Sequence, residues 1–181
     1  DFSYAVDLTA VAPGNDVIFT YVSPTGQRQL DATAYNGVIR MHVDGQRISA
    51  NGLAGDERQL VFTWDGDTDT AKIFIDGVLK STKILNVGTQ PVGGGRLVLG
   101  RGFSSSSGID ADTPFHATNG YQGVMSRFQV WDKTLDTTEV SDVFSGAPPQ
   151  QGLVNDIQFA GGSGATVQDV ATGQYHDIDG G

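Results

Sequence analysis

The chain of 181 residues contains no cysteine and only two glutamates, and none of its apolar stretches is long. The absence of cysteine excludes a disulfide framework, a thiolate zinc site and a cysteine nucleophile. A membrane-spanning helix needs about 20 consecutive apolar residues, so membrane insertion is not expected. Because 19 of the 21 acidic residues are aspartate, which favours turns and cation sites, the composition predicts few helices.

Basic residues are also scarce, with 11 lysines and arginines and a formal net charge of −10. Such a charge opposes binding to the phosphate backbone of DNA or RNA, so nucleic acid is not expected as a partner. The first residues read as a strand and not as a signal peptide, which predicts that the chain is a piece of a longer protein with neighbouring domains.

Short runs of alternating apolar residues between turn signals predict an all-β fold, either a sandwich or a barrel. In these runs, Met125 is expected to face away from Phe128, and the face of the strand that carries Lys72 and Phe74 is expected to be solvated. The predicted strands cover residues 2–8, 17–22, 28–34, 38–43, 58–64, 71–75, 96–99 and 124–131.

One short helix is predicted after Leu135. Asp136 and Glu139 have the spacing of a capping box, and Val140, Val143 and Phe144 supply an apolar stripe. Beyond it, the tail 150–181 is expected to form either closing strands or the start of a further unit.

Two motifs carry a resemblance to a known family. Residues 61–66 (VFTWDG) with 73–77 (IFIDG) resemble a hairpin of laminin-G and pentraxin-like domains, and residues 123–140 (GVMSRFQVWDKTLDTTEV) resemble their ending. Residues 96–100 (RLVLG) are similar to the strand before the family's main binding loop. The resemblance spans residues 1 to about 145 and implies a concanavalin A-like jelly roll, an all-β sandwich of two antiparallel sheets, with Trp64 and Trp131 in its core.

The resemblance implies a single laminin-G-like domain over residues 1–181. Because 152–169 resembles the opening of a laminin-G domain, the tail 150–181 is interpreted as a circularly permuted first-strand segment. The double calcium site of pentraxins is not retained, since the matching places hold Gln27 and Arg28, then residues 101–103, then His116 and Asn119.

The enlarged loop over residues 101–120 is the principal candidate site. Asp110 and Asp112, two residues apart, can turn toward one cation, and Asn119 can add an oxygen ligand, which predicts a Ca²⁺ site. A solvated serine-rich loop is the alternative reading. The candidate ligand-binding residues are Arg28, Arg101, Phe103, Phe115, His116 and Tyr121. The rings of Tyr35, Phe103, Phe115 and Tyr121 are candidates for stacking on sugars.

Other motifs favour structural roles. Asp65, Asp67 and Asp69 have the spacing that opens an EF-hand loop, but the remainder of that signature is missing, so a hairpin turn is predicted. Catalysis is not expected, because two isolated glutamates cannot form the carboxylate pair of a glycosidase and the three histidines are dispersed.

The function predicted from these features is a calcium-dependent ligand-binding domain of a large secreted bacterial adhesin. The acidic, cysteine-free composition is similar to that of RTX-type adhesin modules, which implies an extracellular or cell-surface location. The expected ligand is a peptide or protein carboxylate of a cell surface, bridged by calcium. A glycan-binding lectin-like module, in an adhesin or attached to an enzyme, and a structural spacer are the alternatives.

Overall fold

The computed structural model consists of two antiparallel β-sheets and one short helix. It describes residues 1–9, 15–53, 58–88, 90–103, 108–109, 113, 120–159 and 166–177. In these parts of the chain, no helix is long and apolar enough to cross a membrane. The predicted all-β, two-sheet architecture is confirmed.

The chain crosses between the two sheets, and the strand order brings distant parts of the chain together. The eight-stranded sheet has the order β13-β12-β11-β10-β1-β6-β7-β8, and the five-stranded sheet has the order β5-β4-β3-β2-β9. The elements are β1 (Phe2–Thr9), β2 (Asn15–Val22), β3 (Arg28–Tyr35), β4 (Val38–Val43), β5 (Gln46–Asn51), β6 (Arg58–Asp65), β7 (Thr70–Ile75), β8 (Val78–Ile84), β9 (Arg96–Leu99), β10 (Val124–Trp131), α1 (Thr137–Phe144), β11 (Leu153–Gln158), β12 (Thr166–Asp169) and β13 (Tyr175–Asp177).

All eight strands predicted from the alternation are present, and two further strands, β5 and β8, were not predicted. In β5 only Ile48 and Ala50 are buried, and in β8 no residue is. Both strands lie at sheet edges, where one side of the strand has no neighbour and the apolar pattern is weak.

The core between the sheets is built around stacked aromatic side chains. Tyr4 of β1 packs edge-on against Phe19 of β2 with 4.4 Å between ring centroids, and it stacks with Phe62 at 5.2 Å. Such ring pairs add to the gain from burial itself. Trp64 is also in this core, at 1% exposure, which confirms its predicted position.

Helix α1 covers the outer face of the eight-stranded sheet. The Asp136 side chain accepts a hydrogen bond from the Glu139 backbone, and the Glu139 side chain accepts one from Asp136, so the predicted capping box is confirmed. Val140 and Val143 pack over Phe74 and Trp131. Phe74 is therefore buried beneath the helix, and the prediction of a solvated face around it is wrong.

A β-bulge in β10 changes which face its first residues occupy. Asp7 pairs with Arg127 but Leu8 pairs with Met125, so Ser126 is the extra residue. The bulge turns Met125 toward the inter-sheet core with Phe128, and the predicted opposite facing is wrong.

The tail adds three strands to the edge of the eight-stranded sheet. Strand β11 pairs with β10, and Arg127 holds Asp156 with two hydrogen bonds of 2.7 and 2.6 Å. In the structure, the described strands of the tail therefore lie in the same sheet as β1 and β10. Whether the tail is a permuted first-strand segment stays a prediction.

Candidate functional site

The candidate site is the loop between β9 and β10, together with the residues beside it. Arg28, Arg101, Phe103 and Tyr121 lie within the described residues. The predicted calcium ligands and two of the predicted ligand-binding residues lie outside them: Asp110, Asp112, Phe115, His116 and Asn119.

The two ends of this loop are fixed side by side against β2. The Gly100 backbone N–H donates to the Ile18 carbonyl at 2.7 Å, and the Tyr121 N–H donates to the Gly100 carbonyl at 2.8 Å. Gly120 also forms a parallel bridge with Val17. Loops whose ends meet in this way on a rigid sheet are frequent binding elements.

Phe103 is buried and does not present an exposed ring. It is 4% exposed and forms a small cluster with Val22 and Ile109. The guanidinium of Arg96 lies over the ring, 4.9 Å from its centroid, in a cation–π contact. The sequence-based expectation of an exposed aromatic at Phe103 is therefore corrected: burial against β2 makes it an anchor of the loop.

The loop also contacts the turn between β2 and β3. The Ile109 N–H donates to the Gly26 carbonyl at 3.0 Å. A Cβ atom at Gly26 would lie 2.8 Å from the Ile109 carbonyl oxygen, and Gly26 has φ +77°, so glycine is required here on two grounds. This contact brings Ile109 next to the start of β3, where Arg28 lies.

Arg28 belongs to a group of ionisable side chains on the outer face. Its Nε is 3.7 Å from Asp31 Oδ1, and His42 Nδ1 is 3.0 Å from Asp31 Oδ2. Their side chains are 34%, 13% and 26% exposed for Arg28, Asp31 and His42, so the group faces solvent. The sequence analysis missed Asp31 and His42, although their strand alternation places both on the face opposite the core residues Ala32 and Met41.

Tyr121 closes the loop at the end of the sandwich and is partly buried. Its hydroxyl donates to the Thr9 carbonyl at 3.1 Å. Burial, together with the negative charge of Asp16, raises the pKa of Tyr121 to about 12. The ring packs against the inter-sheet core, so Tyr121 combines a structural contact with a position beside the loop.

Asp16 is a buried carboxyl beneath this closure, at 4% exposure. Burial raises the pKa of Asp16, against the opposing effect of a hydrogen bond from the Gln122 backbone. Within the described part of the chain, Asp16 Oδ2 has no hydrogen-bond partner.

The aspartates at 65, 67 and 69 form a hairpin turn, as predicted. Asp65 accepts hydrogen bonds from the Asp67 and Thr68 backbones and from the Thr68 hydroxyl, and the hydroxyl contact is the main cause of its lowered pKa. No group of three or more histidines, aspartates or glutamates among the described residues could hold a metal ion. The predicted calcium site at Asp110, Asp112 and Asn119 stays a prediction.

Comparison with protein families identifies the fold from sequence. Residues 6–141 match a laminin G-like family described as the concanavalin A-like lectin/glucanases superfamily. The chain belongs to this family. A comparison with curated protein sequences finds no match.

Several solved structures have the same fold. A native heptameric SAP-like pentraxin from Limulus polyphemus has a TM-score of 0.73 at 19% identity, covering 99% of this chain and 80% of the pentraxin. A Bacteroides ovatus protein whose suggested role is carbohydrate binding has a TM-score of 0.65 at 16% identity, covering 99% and 54%. The CBM40 of the Ruminococcus gnavus IT-sialidase, bound to alpha2,3 sialyllactose, has a TM-score of 0.55 at 13% identity, covering 79% and 81%.

These identities establish the shared fold alone. The chain spans about half the length of the Bacteroides ovatus protein. The chain is thus a domain of the concanavalin A-like lectin/glucanases superfamily, and its ligand is a separate question.

Proposed function

We propose that this lectin-type domain is a non-catalytic binding module that takes a glycan beside the loop between β9 and β10. The observation that carries the proposal is the anchoring of this loop on the outer face of the five-stranded sheet, through Phe103 and Ile109, next to Arg28. Two of the structural neighbours are described as carbohydrate-binding, one of them with a bound sialylated sugar, which supports a glycan ligand.

Calcium bridging is the finer part of the proposal. Asp110, Asp112 and Asn119 supply the oxygen ligands that Ca²⁺ prefers, and a bound ion would leave positions open for sugar hydroxyls or a carboxylate. The chain would act in a large secreted adhesin of the RTX type, at a bacterial cell surface. The motivation for this setting is the acidic composition without cysteine.

A peptide or protein carboxylate is the second candidate ligand. It is favoured by the exposed position of Arg101, two residues after the end of β9, since a guanidinium suits a carboxylate with two parallel hydrogen bonds.

The first test is thermal unfolding of the domain in EDTA and in millimolar calcium. A ligand present at about 100 times its Kd stabilises the folded state by about 2.7 kcal/mol, so bound calcium should raise the Tm by several degrees. This rise should disappear in the double variant Asp110→Ala with Asp112→Ala. The matched control is Asp67→Ala with Asp142→Ala, which removes two exposed carboxylates elsewhere and should keep the rise.

Glycan and peptide arrays in calcium then test the ligand. Binding to glycans supports the lectin-type function, and binding to peptides alone would replace it with the second candidate. An unchanged Tm together with no binding on either array would refute the proposal.

A further inference from the structure

The arginines of this acidic chain are concentrated on one sheet. Of seven arginines in the sequence, four lie on strands of the five-stranded sheet: Arg28, Arg40, Arg47 and Arg96. Residues that alternate with them, such as Met41 and Ile48, are in the inter-sheet core. Arg40, Arg47 and Arg96 therefore belong to the outer face. Arg28 joins them through the register shift at the start of β3, which brings it 3.7 Å from Asp31.

Pairing between the strands places the basic groups beside one another. His42 of β4 pairs with Asp31 of β3 on one side and with Arg47 of β5 on the other. With neighbouring strands about 4.8 Å apart, Arg47 lies about 10 Å across the sheet from Asp31. Arg40 is two residues from His42 on the same strand and face, about 7 Å along it.

The strands of the five-stranded sheet carry two aspartates. Asp31 lies on the outer face, whereas Asp16 is buried beneath the loop closure. Asp31 already contacts both Arg28 and His42. Arg40 and Arg47 have no ion-pair partner among the described residues, and Arg47 is exposed. The face thus carries an excess of positive charge on a chain whose net charge is −10.

An aromatic ring adjoins these charges. Tyr35 of β3 is 41% exposed, and the Arg40 guanidinium lies over its ring at 5.1 Å from the centroid. An exposed ring offers the flat apolar surface on which sugars stack, and the guanidinium offers the paired donors that bind a carboxylate or sulfate.

From this arrangement we infer that the outer face of β3–β5 binds an acidic glycan, a chain of sugar rings bearing carboxylate or sulfate groups. The inference rests on the proposed glycan-binding function and specifies the substrate class. A peptide terminus has one carboxylate, whereas the face repeats its positive groups over three strands beside an exposed ring.

The test compares the affinities of the whole chain for three oligosaccharide probes by isothermal titration calorimetry. Heparin oligosaccharides carry sulfate and carboxylate, oligogalacturonates carry carboxylate alone, and malto-oligosaccharides are neutral. The two acidic probes should bind at least about tenfold more tightly than the neutral one, and their affinity should fall as salt rises. A preference between the two acidic probes identifies the charged group.

The variant Arg40→Gln with Arg47→Gln should weaken binding of the acidic probe by about tenfold or more, while its Tm stays close to that of the parent because both side chains are partly or fully exposed. The matched control, Lys72→Gln with Lys80→Gln on the eight-stranded sheet, makes the same change in net charge and should bind within about twofold of the parent.

Several outcomes separate the inference from the function on which it rests. Tight binding of neutral glycans alone would overturn the inference and leave the lectin-type function standing. Equal losses in both double variants, or equally tight binding of a DNA duplex, would indicate a general charge effect and overturn it. Binding only to carboxylate peptides, or to no glycan at all, would overturn both.

Discussion

Asp169 is the side chain whose removal should release the tail. It is 0% exposed and accepts four hydrogen bonds, from the Asp156 and Ala171 backbones at 2.8 and 3.0 Å, from Asn155 at 2.7 Å and from Thr172 at 2.8 Å. Hydrogen bonds to a charged group are each worth about 1.5–3 kcal/mol, but the four share one carboxylate and are not additive. We expect Asp169→Ala to lower the free energy of unfolding by about 3–4 kcal/mol.

The assay is urea unfolding at pH 7, followed by fluorescence of the two tryptophans, together with thermal unfolding. At about 3 °C per kcal/mol for a chain of this length, the Tm should fall by roughly 10 °C. Asp67→Ala, which removes an exposed carboxylate in a turn, is the matched control and should change the Tm by little.

The pH dependence supplies a second readout with a defined sign. Burial acts to raise the pKa of Asp169, but the hydrogen bonds from Asp156, Asn155, Thr172 and Ala171 outweigh it, so the pKa is lowered. A lowered folded-state pKa means that the stabilisation is present above about pH 4 and is lost as the pH falls through the folded pKa. The difference between parent and variant should therefore shrink in acid. A difference that is absent at pH 7, or that grows on acidification, would refute the reasoning.

Three further changes test the loop base and the tail. Asp16→Asn should leave the free energy of unfolding at pH 7 unchanged or raise it by about 1 kcal/mol. The reason is the raised pKa of Asp16, because of which the parent loses stability as the pH rises toward that pKa. In urea unfolding between pH 4 and 7, the variant should therefore be more stable than the parent only near pH 7. Gly26→Ala should cost about 2–3 kcal/mol and increase protease cleavage near Ile109, while Gly45→Ala, with the same φ of +77° and nothing within 4 Å, should cost only about 1 kcal/mol; equal costs would mean that the contact with Ile109 is unimportant. Deletion of residues 150–181 should lower the Tm markedly, since β11 and the Arg127–Asp156 pair are lost, and an equally stable truncated chain would contradict the role given to the tail.

The sequence predicted most strands because alternation survives wherever one strand face packs on the core. It also predicted the helix, because the capping box consists of hydrogen bonds between Asp136 and Glu139, which are only three residues apart. Met125 and Phe74 were misplaced for reasons that are not local. The position of Met125 depends on a bulge in the pairing of β10 with β1. The burial of Phe74 depends on helix α1, which lies about 65 residues later in the chain.

The candidate site was predictable only in part. Composition and loop length indicated the loop after β9. The sequence cannot distinguish an aromatic residue that anchors a loop, as Phe103 does, from one that contacts a ligand. The face formed by Arg40, Arg47 and His42 required knowledge of which strands are neighbours. Strand order is a long-range property that alternation within each strand does not encode.

The position of helix α1 bears on valency. The helix occupies the outer face of the eight-stranded sheet, whereas the proposed glycan surface lies on the opposite outer face, so one copy of the domain would engage a ligand from one side only. Linking two such sites can raise avidity by about 10²–10⁴ without any new contact. The strength of attachment to a surface would then depend on how many copies are displayed together and how they are spaced, more than on the affinity of each one.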